Sequence, residues 1–187
     1  WLTAQDLASY GRDIGTNLIE LLEKILKIEK KFFIRLGMMN PDNTLEILDG
    51  LIDVYKNQKM FKFLHLPIQS GDDEVLKLMN RHYTVEDFKK VVSTIRREIH
   101  RLTLSTDIIC GFPNETEEDF KSSLKLIDEV KPDTTNVSKF YPRPNTPAEK
   151  MNFIPTMEVK RRSRKMSELT RKISLEKNLD WLSWTGE

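Results

Sequence analysis

The sequence has one cysteine, Cys110, in 187 residues. That excludes a disulfide framework within the chain, and a reducing compartment, the cytoplasm, is the expected setting. No apolar run approaches the roughly 20 residues of a membrane-spanning helix, so no membrane partner is expected for this segment. No secretory signal is visible. An excess of one charge is also missing. Thirty Lys and Arg stand against 29 Asp and Glu, a formal net charge of +1. The chain as a whole exerts no strong pull on nucleic acid, and any basic surface must be local. The three histidines, His65, His82 and His100, are scattered. No His, Cys and carboxylate cluster has metal-ligand spacing, so no metal site is expected in this chain. A Ser-His-Asp constellation, a GxGxxG turn and a P-loop are absent, as are low-complexity segments and sequence repeats.

What is present suits a globular α/β chain: 39% hydrophobic, 32% charged and 9% aromatic residues. Phe63-Leu64-His65-Leu66-Pro67-Ile68-Gln69-Ser70-Gly71 shows the repeating unit. A short apolar strand is stopped by Pro67, which cannot donate to a ladder. Polar groups follow at once, and Asp72 can cap the helix beginning Asp73-Glu74. Strands are expected at 1–3, 32–37, 61–66, 102–109 and 136–141. Helices are expected after Asn17, from Pro41 or Thr44, over 74–79, after Thr84 and Thr116, and from about 156 to 181. Thr84 with Asp87 reads as a capping box with Asp in the acidic place. Alternating strands and helices with short links imply parallel strands and right-handed crossovers. Five strands are too few for a closed eight-stranded barrel, so a partial barrel with helices outside is expected. Trp1-Leu2-Thr3-Ala4 reads as the end of a strand, and the chain is expected to be a piece of something longer.

In such folds ligands bind at the C-terminal ends of strands. Asp107 lies between strand-like flanks, where an unpaired buried carboxylate costs several kcal/mol. A pair of sugar hydroxyls would serve it, as would a buried Ser, Thr or Arg. Gln69 offers one acceptor and two donors just past a strand end; a turn-stabilising amide is the plainer reading. Arg81 can clamp a carboxylate bidentately or sit as a solvated cation at a helix C-terminus. Arg35, mid-strand, either points into a polar interior or covers an edge. Gly111 would let the backbone approach a flat ligand, although most such turns are only turns. Lys160, Arg161, Arg162, Arg164, Lys165, Arg171 and Lys172 put seven cations on the last helix. Contact with RNA phosphates and a solvated amphipathic face both fit that pattern.

Four stretches together resemble the radical S-adenosylmethionine (SAM) methylthiotransferases: His65–Gly71, Met79–Thr84, Ser105–Thr116 and Phe140–Ala148. The resemblance runs over nearly the whole chain in order. Trp1–Asp6, Tyr10–Asn17 and Phe140–Pro144 are similar to the archaeal and eukaryotic tRNA branch, which adds a methylthio group to C2 of N6-threonylcarbamoyladenosine next to the anticodon. The resemblance implies a partial (βα)₆ TIM-like barrel lacking its first βα unit, with SAM across the strand ends. It implies Gln69 and Asp107 on the ribose, Arg81 on the methionine carboxylate and Gln5 near the methionine amino group. Gly111 and Phe112 would lie by the adenine. Arg35, Ser70 and Arg143 are further candidates for substrate or cofactor contact. It also implies two [4Fe-4S] clusters, whose CxxxCxxC ligand loop has no counterpart here, an electron donor, and the tRNA anticodon stem-loop as partner. Residues 1–155 would be the barrel, and 156–187 a helix and linker toward a small β-barrel RNA-binding domain. Two other readings stay open: another radical SAM enzyme, acting on a ribosomal protein or on coproporphyrinogen, and a non-catalytic α/β RNA-binding module.

Overall fold

The computed structural model describes residues 1–182 and 185. By their contacts they form two compact units, Trp1–Ile68 with Glu86–Ser105, and Gln69–Val85 with Thr106–Glu187.

In the first unit, Asn17 starts α1 (Leu18–Leu26) as expected, its side chain accepting from Glu20 N at 3.0 Å. Leu18 and Leu22, one turn apart, are fully buried. Pro41 then opens a helical stretch that breaks once, at Ile47 (φ −113°, ψ 13°), into α2 (Pro41–Glu46) and α3 (Leu48–Lys56). One continuous helix was expected there. Leu51 and Tyr55 of α3 are fully buried. β1 (Phe63–His65) runs parallel to the start of β2 (Thr103–Cys110), pairing Phe63 with Thr103 and His65 with Ser105. α5 (Val85–Glu98) buries Phe88, Val91 and Ile95. Each such side chain contributes roughly 1.5–3 kcal/mol relative to exposure.

The strands expected at 1–3 and 32–37 are reduced to single parallel bridges: Leu2 with Leu36, Ile34 with Met60, and Met38 with His65. On one side the pairing is to Leu2, through Arg35 O and Gly37 N. On the other, Ile34 and Met38 are four residues apart while their partners Met60 and His65 are five apart, so the two bridges are out of register and stay single.

The second unit is built around the rest of β2. β3 (Thr134–Lys139) lies beside β2 in the sheet, and Phe140 N donates to Cys110 O at 2.9 Å. α4 (Asp73–Leu78) is capped by Asp72, which accepts from Glu74 N and Val75 N. α6 (Glu117–Val130) opens with a reciprocal capping box between Thr116 and Asp119. α7 (Thr156–Leu179) packs on β3 and α6 and buries Met166, Ile173 and Arg162; by its contacts it belongs to this unit. Gly71 sits where a Cβ would meet Ser123 Cα of α6 at 2.5 Å, so only glycine fits. The expected entry to a further domain at Trp181–Glu187 falls largely on Ser183, Trp184, Gly186 and Glu187, outside the described residues.

Candidate nucleoside-binding site

Arg81 is placed by the way α4 ends. Asn80 N donates to Lys77 O and Arg81 N to Leu76 O, both at 2.9 Å. Asn80 has φ +56°. This is a Schellman motif, with Asn as the left-handed residue that lets the chain reverse. Gln69 is placed by the strand end. Its N–H donates to Asp107 O and its carbonyl accepts from Ile109 N, each at 2.9 Å, while its φ is +72°. A left-handed non-glycine residue costs of order 1 kcal/mol or more and persists only where its surroundings impose it. Here both backbone hydrogen bonds to β2 impose it. Asp107, on β2, accepts from Asn136 Nδ2 of β3 at 2.7 Å.

Gln69, Arg81, Asp107, Asn136 and Arg143 line one open cavity of about 810 Å³. A volume of that size suits a small-molecule ligand. Arg81 also carries a buried Nε that has no hydrogen-bond partner. A buried donor left unpaired costs about 1–3 kcal/mol.

The remaining candidates lie elsewhere. Ser70 is fully buried. It accepts from Asp72 N and stands 3.5 Å from the Ser123 hydroxyl, so it holds the turn and does not line the cavity. Phe112 is buried with its ring edge-on to Phe140, centroids 5.0 Å apart. Gly111, at φ +80°, approaches Val159 of α7: a Cβ there would stand 2.6 Å from Val159 Cγ2. Gln5 and Arg35 belong to the first unit. Gln5 is exposed. The Arg35 guanidinium covers the Phe63 ring at 3.9 Å and the Trp1 ring at 5.1 Å. Asp6, next to Gln5 in sequence, is occupied by Ala8 N, Asn40 and Asn43.

Sequence reasoning missed two buried charges. Arg162 and Glu115 are 5% and 4% exposed. Arg162 Nη1 donates to Glu115 Oε2 at 2.7 Å and to its carbonyl at 2.9 Å, and its Nε donates to Glu158 at 2.9 Å. Glu115 also accepts from Gly111 N at 2.9 Å. Burial pushes the Glu115 carboxyl above the ordinary range, against the pull of Arg162 and the Gly111 N–H. Burial likewise pushes the Cys110 thiol up to about 12, with Glu115 adding to it. A signal for Arg162 was available: it lies one turn before Met166, on the stripe that ends at Ile173. Of the seven cations expected on the last helix, Arg162 is thus internal, and Arg161 is paired with Glu158 and Glu117. Lys160, Arg164, Lys165, Arg171 and Lys172 are exposed.

Residues 8–127 match the Radical SAM superfamily. The chain belongs to that superfamily. A probable threonylcarbamoyladenosine tRNA methylthiotransferase of Pyrococcus horikoshii is 51% identical over 182 residues, 97% of this chain and 43% of that protein. The human threonylcarbamoyladenosine tRNA methylthiotransferase is 44% identical over 170 residues, 90% of this chain and 29% of that protein. The chain therefore spans less than half the length of these relatives. Among solved structures, coproporphyrinogen III oxidase from Escherichia coli, a radical SAM enzyme, matches 83% of this chain and 37% of its own. Its TM-score is 0.66 and its identity 23%. That likeness carries the fold: α/β, with parallel strands of the TIM-like radical SAM type and a long C-terminal helix. Among the described residues no helix is long and apolar enough to cross a membrane.

Proposed function

We propose that this chain is the SAM-holding part of a tRNA methylthiotransferase, one that replaces hydrogen at C2 of N6-threonylcarbamoyladenosine, next to the anticodon, with a methylthio group. The observation that carries the reading is that Gln69, Asp107 and Arg81 line one cavity. SAM fits that donor set. It brings a carboxylate for Arg81, ribose hydroxyls for Asp107, and polar edges for the Gln69 amide. Arg143, at the rim, is within the same lining and adds a second cation toward an anionic substrate.

Gln69, Arg81 and Asp107 would hold SAM, which would supply the radical chemistry for hydrogen removal in the reduced holoenzyme. The chain's own residues bind and orient. Asp107 is steadied by Asn136, which occupies one carboxylate oxygen. Gln69 is fixed by its two backbone hydrogen bonds to β2. Holding the reacting nucleoside and the cofactor in one shared cavity brings their reacting atoms together. The iron–sulfur chemistry of the superfamily is a different matter. Cys110 is the single cysteine, and no group of three His, Cys, Asp or Glu residues stands together among the described residues. The residues present do not fit a cluster. We place the ligands of two clusters, and the docking of an electron donor, in the remainder of a longer cytoplasmic protein.

The test uses the full-length protein with SAM, a reductant and tRNA carrying threonylcarbamoyladenosine. Mass spectrometry of the digested nucleosides should find the methylthio derivative, and Asp107→Ala should reduce it at least tenfold. Unmodified nucleoside in an otherwise competent preparation, or full activity in the variant, would overturn the proposal.

A further inference from the structure

Beside the large cavity lies a smaller one of about 170 Å³, lined by Gly111, Phe140, Tyr141, Phe153, Lys139 and Lys160 among others. Nothing so far uses it. Its size suits a single ring system, since an apolar cavity of roughly 150 Å³ accepts a benzene ring. Its walls are aromatic. Phe140 and Phe153 are stacked, centroids 6.4 Å apart and 24° between planes. Tyr141 and Phe153 are 71% and 51% exposed, too open for core residues. Lys139 and Lys160 are exposed, and no carboxylate is in the lining. Flat apolar walls with two cations at the rim match a nucleobase whose phosphates remain outside.

The adenine of SAM is a poorer occupant. Ile109, two residues on from Asp107 and so on the same side of the strand, lines the larger cavity with it. A ribose at Asp107 therefore has an apolar surface for its base within that cavity. The two cavities share Lys139, Phe140, Tyr141 and Pro142, so an occupant of the smaller one is an immediate neighbour of whatever reacts in the larger. We infer that the smaller cavity holds a base adjacent to the reacting nucleotide of a single-stranded RNA segment, stacked on the Phe153 wall, with Lys139 and Lys160 on the flanking phosphates. The inference rests on the RNA reading above and deepens it.

The test measures binding of an anticodon stem-loop RNA to the full-length protein by fluorescence anisotropy. The intact loop is compared with loops made abasic on either side of the reacting nucleotide. Phe153→Ala should weaken the intact loop about tenfold, the range of one base–aromatic stack. It should change the correctly placed abasic loop little. Phe153→Leu, which keeps apolar bulk, should behave like the alanine. Lys160→Gln should weaken every loop alike and flatten the salt dependence. SAM affinity by calorimetry should stay constant across all three variants. Unchanged loop affinity in both Phe153 variants, or an equal loss on every abasic loop, overturns the inference. Loss of SAM affinity with RNA binding intact also overturns it, since it gives the cavity to the cofactor. A wild-type protein that binds no stem-loop overturns the RNA reading itself.

Discussion

Arg81 and Arg162 lie in the same unit, and each has a guanidinium nitrogen removed from water. Around Arg162 every buried charge is answered: Glu115 and Glu158 accept from it, and Glu115 takes a further N–H from Gly111. Around Arg81 the backbone is equally well fixed, by the Schellman motif at Leu76–Arg81, yet Nε has no partner. One arginine ties α7 to the loop before α6. The other lines a cavity and has a buried nitrogen without a partner. Saturated contacts mark Arg162 as a structural joint, whereas Arg81 is the one proposed to take a ligand.

The comparison can be broken most easily by replacing the two arginines in turn. Arg162→Met should destabilise the protein by about 3–5 kcal/mol, because it leaves Glu115 buried without its counter-charge. Urea unfolding measures this. The double variant Arg162→Met with Glu115→Gln should recover part of the loss, and a double variant no better than the single would argue against a charge-pair origin. Arg81→Met should leave unfolding stability within about 1 kcal/mol of wild type, or raise it, because it removes an unsatisfied donor. A loss as large as that at Arg162 would mean that Arg81 is structural too.

A smaller effect concerns pH. Hydrogen bonds from Arg161, then Arg162, hold the Glu158 carboxyl down to about 2 from the ordinary 4.5. Its folded pKa is below its unfolded one, so its contribution is complete above pH 4.5 and fades as pH falls toward 2. Carboxyl-resolved NMR should place the Glu158 midpoint near the lower value. A midpoint near 4.5 would show that the arginine contacts around α7 are not maintained in solution.

Local features were legible in the sequence because their physics is local. Asn17, Asp72 and Thr116 cap helices two or three residues away, and each was readable from side-chain chemistry alone. Pro67 and Gly71 marked the turn that Gln69 occupies. What depends on distant pairing was not readable. The bridges at Ile34 and Met38 fall short of a strand because their partners Met60 and His65 are out of register with them, which no single window reveals. Arg162 and Glu115 are 47 residues apart, so their pairing left only the indirect trace of a charge on an apolar stripe. Arg35 was readable as out of place in a strand, but not as resting on Phe63 and Trp1. For the site, residue types and the resemblance picked out Gln69, Arg81 and Asp107. The left-handed backbone of Gln69 and the orphaned nitrogen of Arg81 required the fold.

The most direct measurement is the affinity of the full-length protein for SAM, by calorimetry, with and without Arg81→Met. Loss of a charge-assisted contact worth about 1.5–3 kcal/mol should weaken binding roughly ten- to a hundredfold while the unfolding curve holds its place. Equal affinity in the two proteins would contradict the account.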